Sequence, residues 1–584
     1  MLRIFNNLGK REMIYILFGF ALIVFGVFLD LKMPDYMSEI TRLVQTEGSK
    51  IEDILYNGSF MLLCALGSLF ASIAVGYLFS YVSSTFSKNT RKKLFDKVES
   101  LSLLEIKKFE VSSLITRTTN DITQVEMFLS MGLQLLIKAP ITAIWAITKI
   151  LNKNITWSMI TALAVVVLLS VVGFVMVLVV PRFKKIQKLT DNINASAREN
   201  LTGIRVVHAF NAENYQEEKF AKTNAELTKI QTFNQKGFAL FSPVMYFVMH
   251  FLSLSIYFLG AGFIESAKMT SKLSIFSDMI VFSSYSTQVI MSFLMLAFIF
   301  MMLPRATVSI KRINEVLDED ASIKDGTGVN TTLEKGTVEF RNVSFKYPDA
   351  DEYLLRDISF KIEKGKTLAI IGSTGSGKTS LVNLIPRFYD ATIGDVLVDG
   401  VNVKDYKLES LYEKIGYVSQ KAVLFSGDIK SNITYGSKDK DDSEKIESAL
   451  SISKSLDFVS NLNDKELSHV AQGGTNYSGG QKQRLSIARA IYKDPEIFIF
   501  DDSFSALDFK TDKELRSNLK KKFKDKTNII VAQRIGTILN ADKIMVLEDG
   551  KCVGFGNHKE LLENCSVYRE IALSQITEEE LLNA

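Results

Sequence analysis

Apolar positions up to Pro304 come in long unbroken runs, whereas beyond that point short strand-like runs alternate with polar, helix-patterned stretches. A hydrocarbon core of ~30 Å takes about 20 apolar residues per helix. Six runs meet that length, at about 13–33, 54–87, 127–150, 154–181, 237–264 and 279–304. Met13–Leu29 carries no formal charge, and Ile54–Ser87 stays uncharged for longer than a bilayer needs, so part of that helix should leave the membrane. The third run holds Lys138 and Lys149. Either both ammonium groups reach toward headgroups, or the span is shorter and starts at Ala139.

The polar connections Lys88–Glu126 and Arg182–Lys236 keep a helical apolar spacing without caps, which predicts that spans two to five continue as rods beyond the membrane. Clusters Arg3/Lys10/Arg11, Lys88/Arg91–Lys93, Arg182/Lys184/Lys185/Lys188 and Arg305/Lys311/Arg312 fall on one side of the spans. The loop Asp30–Asp53 is acidic, with Asp30, Asp35, Glu39, Glu47, Glu52 and Asp53 against Lys32, Arg42 and Lys50. Positive flanks stay inside, so both termini are expected in the cytoplasm of a multi-pass cell-membrane protein. The first apolar run has no small-residue cleavage site and reads as a retained membrane helix.

The segment DEDASIKDGTGVNTTLEKG then breaks the pattern. The expected organisation is a helical membrane domain over 1–318, a linker over 319–335, an α/β domain over 336–575 and a tail over 576–584. Within the third part the runs TVEFRNVSF, TLAIIG, DVLVDG, IGYVSQ, EIFIFDD, TNIIVAQ and KIMVLEDG alternate with helical stretches. A mean hydropathy of +0.13 over 584 residues agrees with a membrane protein of several domains. The net charge of +4 argues against nucleic acid as the main partner. Cys64, Cys552 and Cys565 have no metal-type spacing and imply no disulfide framework.

Gly372–Thr379 reads GSTGSGKT, a phosphate-binding loop set between a strand and a helix. Backbone N–H groups of Gly372, Ser373, Thr374, Gly375, Ser376 and Gly377 can approach phosphate oxygens, with Ser380 following in the helix. Lys378 would meet the β- and γ-phosphates and Thr379 would bind Mg²⁺. Asp501, closing IFIFD, is the expected metal-organising carboxylate, and Gln420 follows the strand IGYVS. The turn Ser478, Gly479, Gly480, Gln481 opens a helix and can present a hydroxyl and N–H groups to a phosphate.

In their order along the chain, GSTGSGKT, VSQ, YSGGQ, IFIFDD, SALD and VAQR resemble the motifs of an ATP-binding cassette. Nearly the whole length resembles a half-size ABC exporter. That resemblance implies an ATPase using ATP and Mg²⁺, with Tyr347 stacking on adenine, Gln420 near the metal, and Ser505–Asp508 linking two cassettes. It also implies that Ser478–Gln481 acts in trans on a partner's ATP. Turns near Phe109–Leu114 and Ala209–Tyr215 would couple cassette to membrane helices; otherwise these segments are ordinary charged helix surface.

Two positions depart from the family pattern. Asp502 stands where Glu is usual, and Gln533 stands where the switch His is usual. A carboxylate one methylene shorter ends roughly 1–1.5 Å short of its water, and misplacement on that scale costs ~10² in rate. Gln533 can hydrogen-bond a phosphate but cannot become cationic. With YSGGQ intact, the pattern resembles the degenerate-site subunit of bacterial heterodimeric multidrug exporters. The implied partner is a second half-exporter with intact Glu and His and a degenerate signature.

The cargo is less legible. The uncharged runs such as Met13–Leu29 and Ile54–Ser87 hold no Asp or Glu, which disfavours a proton relay. His250 suggests an interhelical hydrogen bond. Met291, Phe293, Met295, Phe298, Phe300, Met301 and Met302 suit lipophilic small molecules, or equally a packing and lipid-facing surface. A lipid or peptide exporter of the same architecture, or an ATP-gated channel or regulator, are the alternatives to drug export.

Overall fold

The computed structural model describes residues 8–575 except 47, 152, 327, 330, 331 and 333. Arg3 and the 576–584 tail lie outside the described residues, as do the side chains of Phe300 and Met301. Two compact units emerge. One comprises residues up to Glu99 with Val111–Glu319, the other Ser100–Glu110 with Asp320 onward.

The first unit is helical. Its long helices are α1 (Lys10–Gln45), α2 (Ile51–Ser100), α4 (Val111–Leu151), α5 (Ile155–Thr202), α7 (Glu213–Ser266) and α8 (Met269–Leu317). Among the described residues, six helices are long and apolar enough to cross a membrane. Large apolar side chains such as Leu17 (71%), Phe70 (68%) and Phe258 (75%) are exposed on them, as helices solvated by lipid require. Inward positions such as Val27, Phe79, Trp157, Ile256, Phe282 and Ile290 form the core. The rods expected from the polar connections are continuous helices of 50, 48 and 54 residues for α2, α5 and α7.

The connections break where the sequence turns polar. Glu110, at φ 59°, separates a short α3 (Leu103–Phe109) from α4. Asn211, at φ 50°, follows α6 (Ile204–Ala209) and precedes α7. Two π-helical turns, Arg117–Asp121 and Phe128–Gly132, interrupt α4. The first carries Arg117, 2.9 Å from Glu315 of α8, and Asp121, which accepts from Ser309 at 2.8 Å.

The intramembrane charges differ from expectation. Asp30 and Asp35 lie within α1, and the two lysines of α4 face them. Lys149 Nζ is 2.8 Å from Asp35 and Lys138 Nζ is 3.4 Å from Asp30. Tyr285 donates to Asp35 at 2.6 Å. Each ammonium is less costly among apolar helices beside a carboxylate than alone, and both lysines are paired. His250 is exposed on α7, and its ring stacks at 19° against that of Tyr246 one turn away.

The second unit is α/β. A six-stranded sheet runs β12 (Lys551–Gly556), β11 (Lys543–Glu548), β3 (Thr367–Gly372), β10 (Thr527–Val531), β9 (Ile497–Asp501), β6 (Ile415–Val418). All neighbours are parallel except β12 against β11. β9 is buried at all five positions, as a strand covered on both faces must be. A second sheet has the order β2 (Leu355–Ile362), β1 (Val338–Phe345), β4 (Ile393–Val398), β5 (Val401–Asn402). Part of the 319–335 segment is seated on this unit: Gly326 N donates to Tyr406 O at 2.9 Å and Arg387 donates to Lys324 O at 2.9 Å.

Candidate functional site

Ligands of open parallel sheets gather at the carboxyl ends of the strands. Here β3 delivers Gly372, β10 leads to Gln533, β9 ends at Asp501 and β6 leads to Gln420. These four strands are neighbours, so motifs far apart in sequence meet along one edge.

The phosphate loop is shaped by glycine where no other residue fits. A Cβ on Gly372 would lie 2.0 Å from Leu547 O, and Gly377 has φ +97°. Lys378 Nζ donates to the carbonyls of Gly372 and Ser373 at 2.8 and 2.7 Å, which leaves one of its three donors. Burial lowers the Lys378 pKa, opposed by the charges of Asp502 and Asp501. Ser376 Oγ is buried without a hydrogen-bond partner among the described residues, a donor suited to an anion in the loop.

Thr379 Oγ1 donates to Asp501 Oδ1 at 3.0 Å, and Tyr417 donates to Asp501 Oδ2 at 3.3 Å. Burial raises the Asp501 pKa, and the bonds from Thr379 and Tyr417 oppose that rise. A hydroxyl beside a carboxylate is a hard-oxygen donor set, and Gln420, bonded through Nε2 to the adjacent Asp502, carries a further amide oxygen. Mg²⁺ takes one or two carboxylates and completes its shell with waters and phosphate oxygens, so these residues fit it.

Asp502 is the unusual member. It is buried, has φ +47°, and its backbone N–H donates to Val531 O at 3.1 Å. Its Oδ2 accepts from Gln420 Nε2 at 3.0 Å and from Gln533 Nε2 at 2.9 Å. The two positions that depart from the family pattern are thus bonded to each other.

Tyr347 lies against Tyr389, ring centroids 5.3 Å apart, and its hydroxyl is 2.8 Å from that of Ser380. Sequence reasoning missed Lys107 of α3, whose ammonium sits 5.4 Å from the centre of the Tyr347 ring and 5.6 Å from that of Tyr389. A hydrogen bond to Tyr389 holds the Lys107 pKa above the usual lysine range. No local signal marks it, because its partners lie far along the chain.

The Ser478–Gln481 turn is a capping box. Gln481 N donates to Ser478 Oγ at 3.3 Å and Ser478 N donates to Gln481 Oε1 at 2.9 Å. It starts the helix Gly479–Lys493, with Ser478 and Gly479 exposed. Asp508 caps the helix Phe509–Lys522, accepting from Thr511 N at 2.9 Å, while Arg534 donates to Ser505 O at 3.2 Å.

A phosphate loop, a buried carboxylate and a capped glycine turn on a parallel sheet, joined in one chain to six long apolar helices, define a membrane transporter with a nucleotide-binding domain. Residues 16–293 match the ABC transporter transmembrane region and residues 355–505 match the ABC transporter family. The chain belongs to the ABC transporter family. It is 37% identical over 520 residues to an uncharacterized ABC transporter ATP-binding protein of Mycobacterium tuberculosis, covering 88% of this chain and 86% of that one. It is 29% identical over 533 residues to the ATP-dependent lipid A-core flippase of Pseudoalteromonas translucida, covering 90% of each. Its fold matches that of a bacterial Atm1-family ABC exporter with ATP bound, at TM-score 0.82 and 23% identity over 97% of this chain and 100% of the other. The protein is a half-size ABC exporter, an ATPase coupled to transport across a membrane, whose architecture requires a second half to form a dimer.

Proposed function

We propose that this chain is the slow-site subunit of a heterodimeric exporter of drugs or other lipophilic compounds, with its cassette and both termini in the cytoplasm. The observation that carries the reading is the double engagement of Asp502 Oδ2 by Gln420 and Gln533. A carboxylate that accepts two amide bonds is held back from the water a hydrolytic base must orient. Gln533, with Nε2 spent on Asp502, offers no cationic donor to a γ-phosphate.

ATP would bind with its adenine on Tyr347 and its phosphates in the Gly372–Gly377 loop, contacted by Lys378. Thr379, Asp501 and the Gln420 carbonyl would hold Mg²⁺, which when bound neutralises phosphate charge. Asp502, tethered and short, retains ATP longer than it assists cleavage. The exposed Ser478–Gln481 turn completes the partner's site, where intact Glu and His drive turnover.

A lipid cargo is a second reading, favoured by the relatives named as lipid A-core flippases. Co-expression with a half-exporter carrying intact Glu and His tests both. Dye efflux that needs both chains supports the proposal. Lipid flipping without dye efflux favours the second reading, and efflux by this chain alone contradicts the heterodimer.

A further inference from the structure

A cavity of about 280 Å³ opens in the membrane domain where α1, α2 and α8 meet. Asp30, Met33 and Met37 come from α1, Met61 from α2, and Ser284 and Gln288 from α8. Asp30 carries the one formal charge of the lining. Its Oδ1 accepts from Ser68 and its Oδ2 lies 3.4 Å from Lys138 Nζ. A carboxylate offers about four lone-pair sites, so accepting capacity remains.

Gln288 supplies the second observation. Its Nε2 donates to Asp30 O at 3.4 Å, while its Oε1 is buried with no hydrogen-bond partner among the described residues. A buried acceptor without a donor is costly and calls for a ligand that brings one. The polar side of the cavity is therefore rich in acceptors and poor in donors. Its apolar side is built from Pro34, Ile280 and Val281 together with three methionines, whose flexible, polarizable thioethers mould to varied apolar bodies.

We infer that this cavity is a binding subsite for the ammonium headgroup of a lipophilic cation. Asp30 supplies the counter-charge, Gln288 Oε1 accepts an N–H, and Met33, Met37 and Met61 hold the first apolar carbons. The volume suits a headgroup rather than a whole drug-sized ligand, so the rest of the molecule extends toward the wider membrane pathway. The inference deepens the reading of the chain as an exporter of lipophilic compounds and rests on it.

The test uses the full chain in lipid nanodiscs without nucleotide. The probes are dansylcadaverine, a fluorescent primary ammonium, and N-pentyl dansylamide, which keeps the chain but ends in a methyl group in place of the ammonium, each titrated by fluorescence. The ammonium probe should bind at least tenfold more tightly than the neutral one. Gln288→Leu should weaken ammonium binding about fivefold and leave the neutral probe unchanged. Asp30→Asn strips Lys138 of its counter-ion, so the paired variant Asp30→Asn/Lys138→Met keeps the site uncharged and foldable; it should lose the ammonium preference. Equal binding of the two probes, or an unchanged preference in both Gln288→Leu and the paired variant, would overturn the subsite. ATP-driven efflux of neutral lipophiles alongside equal probe binding rejects the subsite and keeps the exporter reading. Ammonium preference without any ATP-driven efflux keeps the subsite and rejects that reading.

Discussion

At Asp502 one carboxylate oxygen accepts from two side-chain amides, Gln420 and Gln533. Hydrogen bonds to a charged group contribute about 1.5–3 kcal/mol each, so freeing Asp502 to orient water is uphill. Asp502→Glu/Gln533→His extends the carboxylate and supplies a cationic donor. It should raise ATP turnover of the purified chain by ~10²-fold, read as phosphate release. Lys378→Ala removes the ammonium from the phosphate loop and should weaken ATP binding at least tenfold by equilibrium titration, with the thermal unfolding temperature little changed. Chelating Mg²⁺ with EDTA should abolish turnover while leaving weaker ATP binding measurable, because the loop backbone still meets the phosphates. The motif residues were legible in the sequence as types at fixed spacings. The bond between Asp502 and Gln533 was not, because it depends on the adjacency of β9 and β10.

Elements carry their own tests. Ser478 both caps the helix Gly479–Lys493 and presents its hydroxyl at the exposed turn. Asn caps about as well as Ser, so Ser478→Asn should leave thermal stability nearly unchanged yet lower turnover of the complete complex at least tenfold. In the membrane domain, Asp35 accepts from Lys149 and Tyr285. Removing one partner of this half-buried pair leaves the other charge without its counter-charge, which costs more than removing both. Lys149→Met alone should lower the unfolding temperature in detergent, and Asp35→Leu/Lys149→Met should recover most of the loss. The long helices and the central strands were legible from periodicity: IFIFD, TLAII and TNIIV are β9, β3 and β10. β2 and β12 were missed because LRDISFKI and KCVGFG expose alternate positions and resemble loop sequence. The place of Asp30 and Asp35 inside α1 was not legible because the uncharged run Met13–Leu29 stops short of them, whereas the helix continues to Gln45.

On the scale of the whole molecule, a half-size exporter holds one set of phosphate-loop residues and one signature turn, and each serves a different composite site in the dimer. In the proposed heterodimer, the Ser478–Gln481 turn would complete the partner's site while this chain's own site, with Asp502 tethered, turns over slowly. The most direct test is the ATPase rate of the purified chain alone, wild type against Asp502→Glu/Gln533→His, with ATP binding measured on the same samples. The two-site account predicts that the wild-type chain binds ATP and releases phosphate slowly, and that the double variant, paired with itself through its own intact signature, accelerates by about two orders of magnitude. Robust turnover by the wild-type chain alone, at a rate the double variant does not exceed, would contradict it.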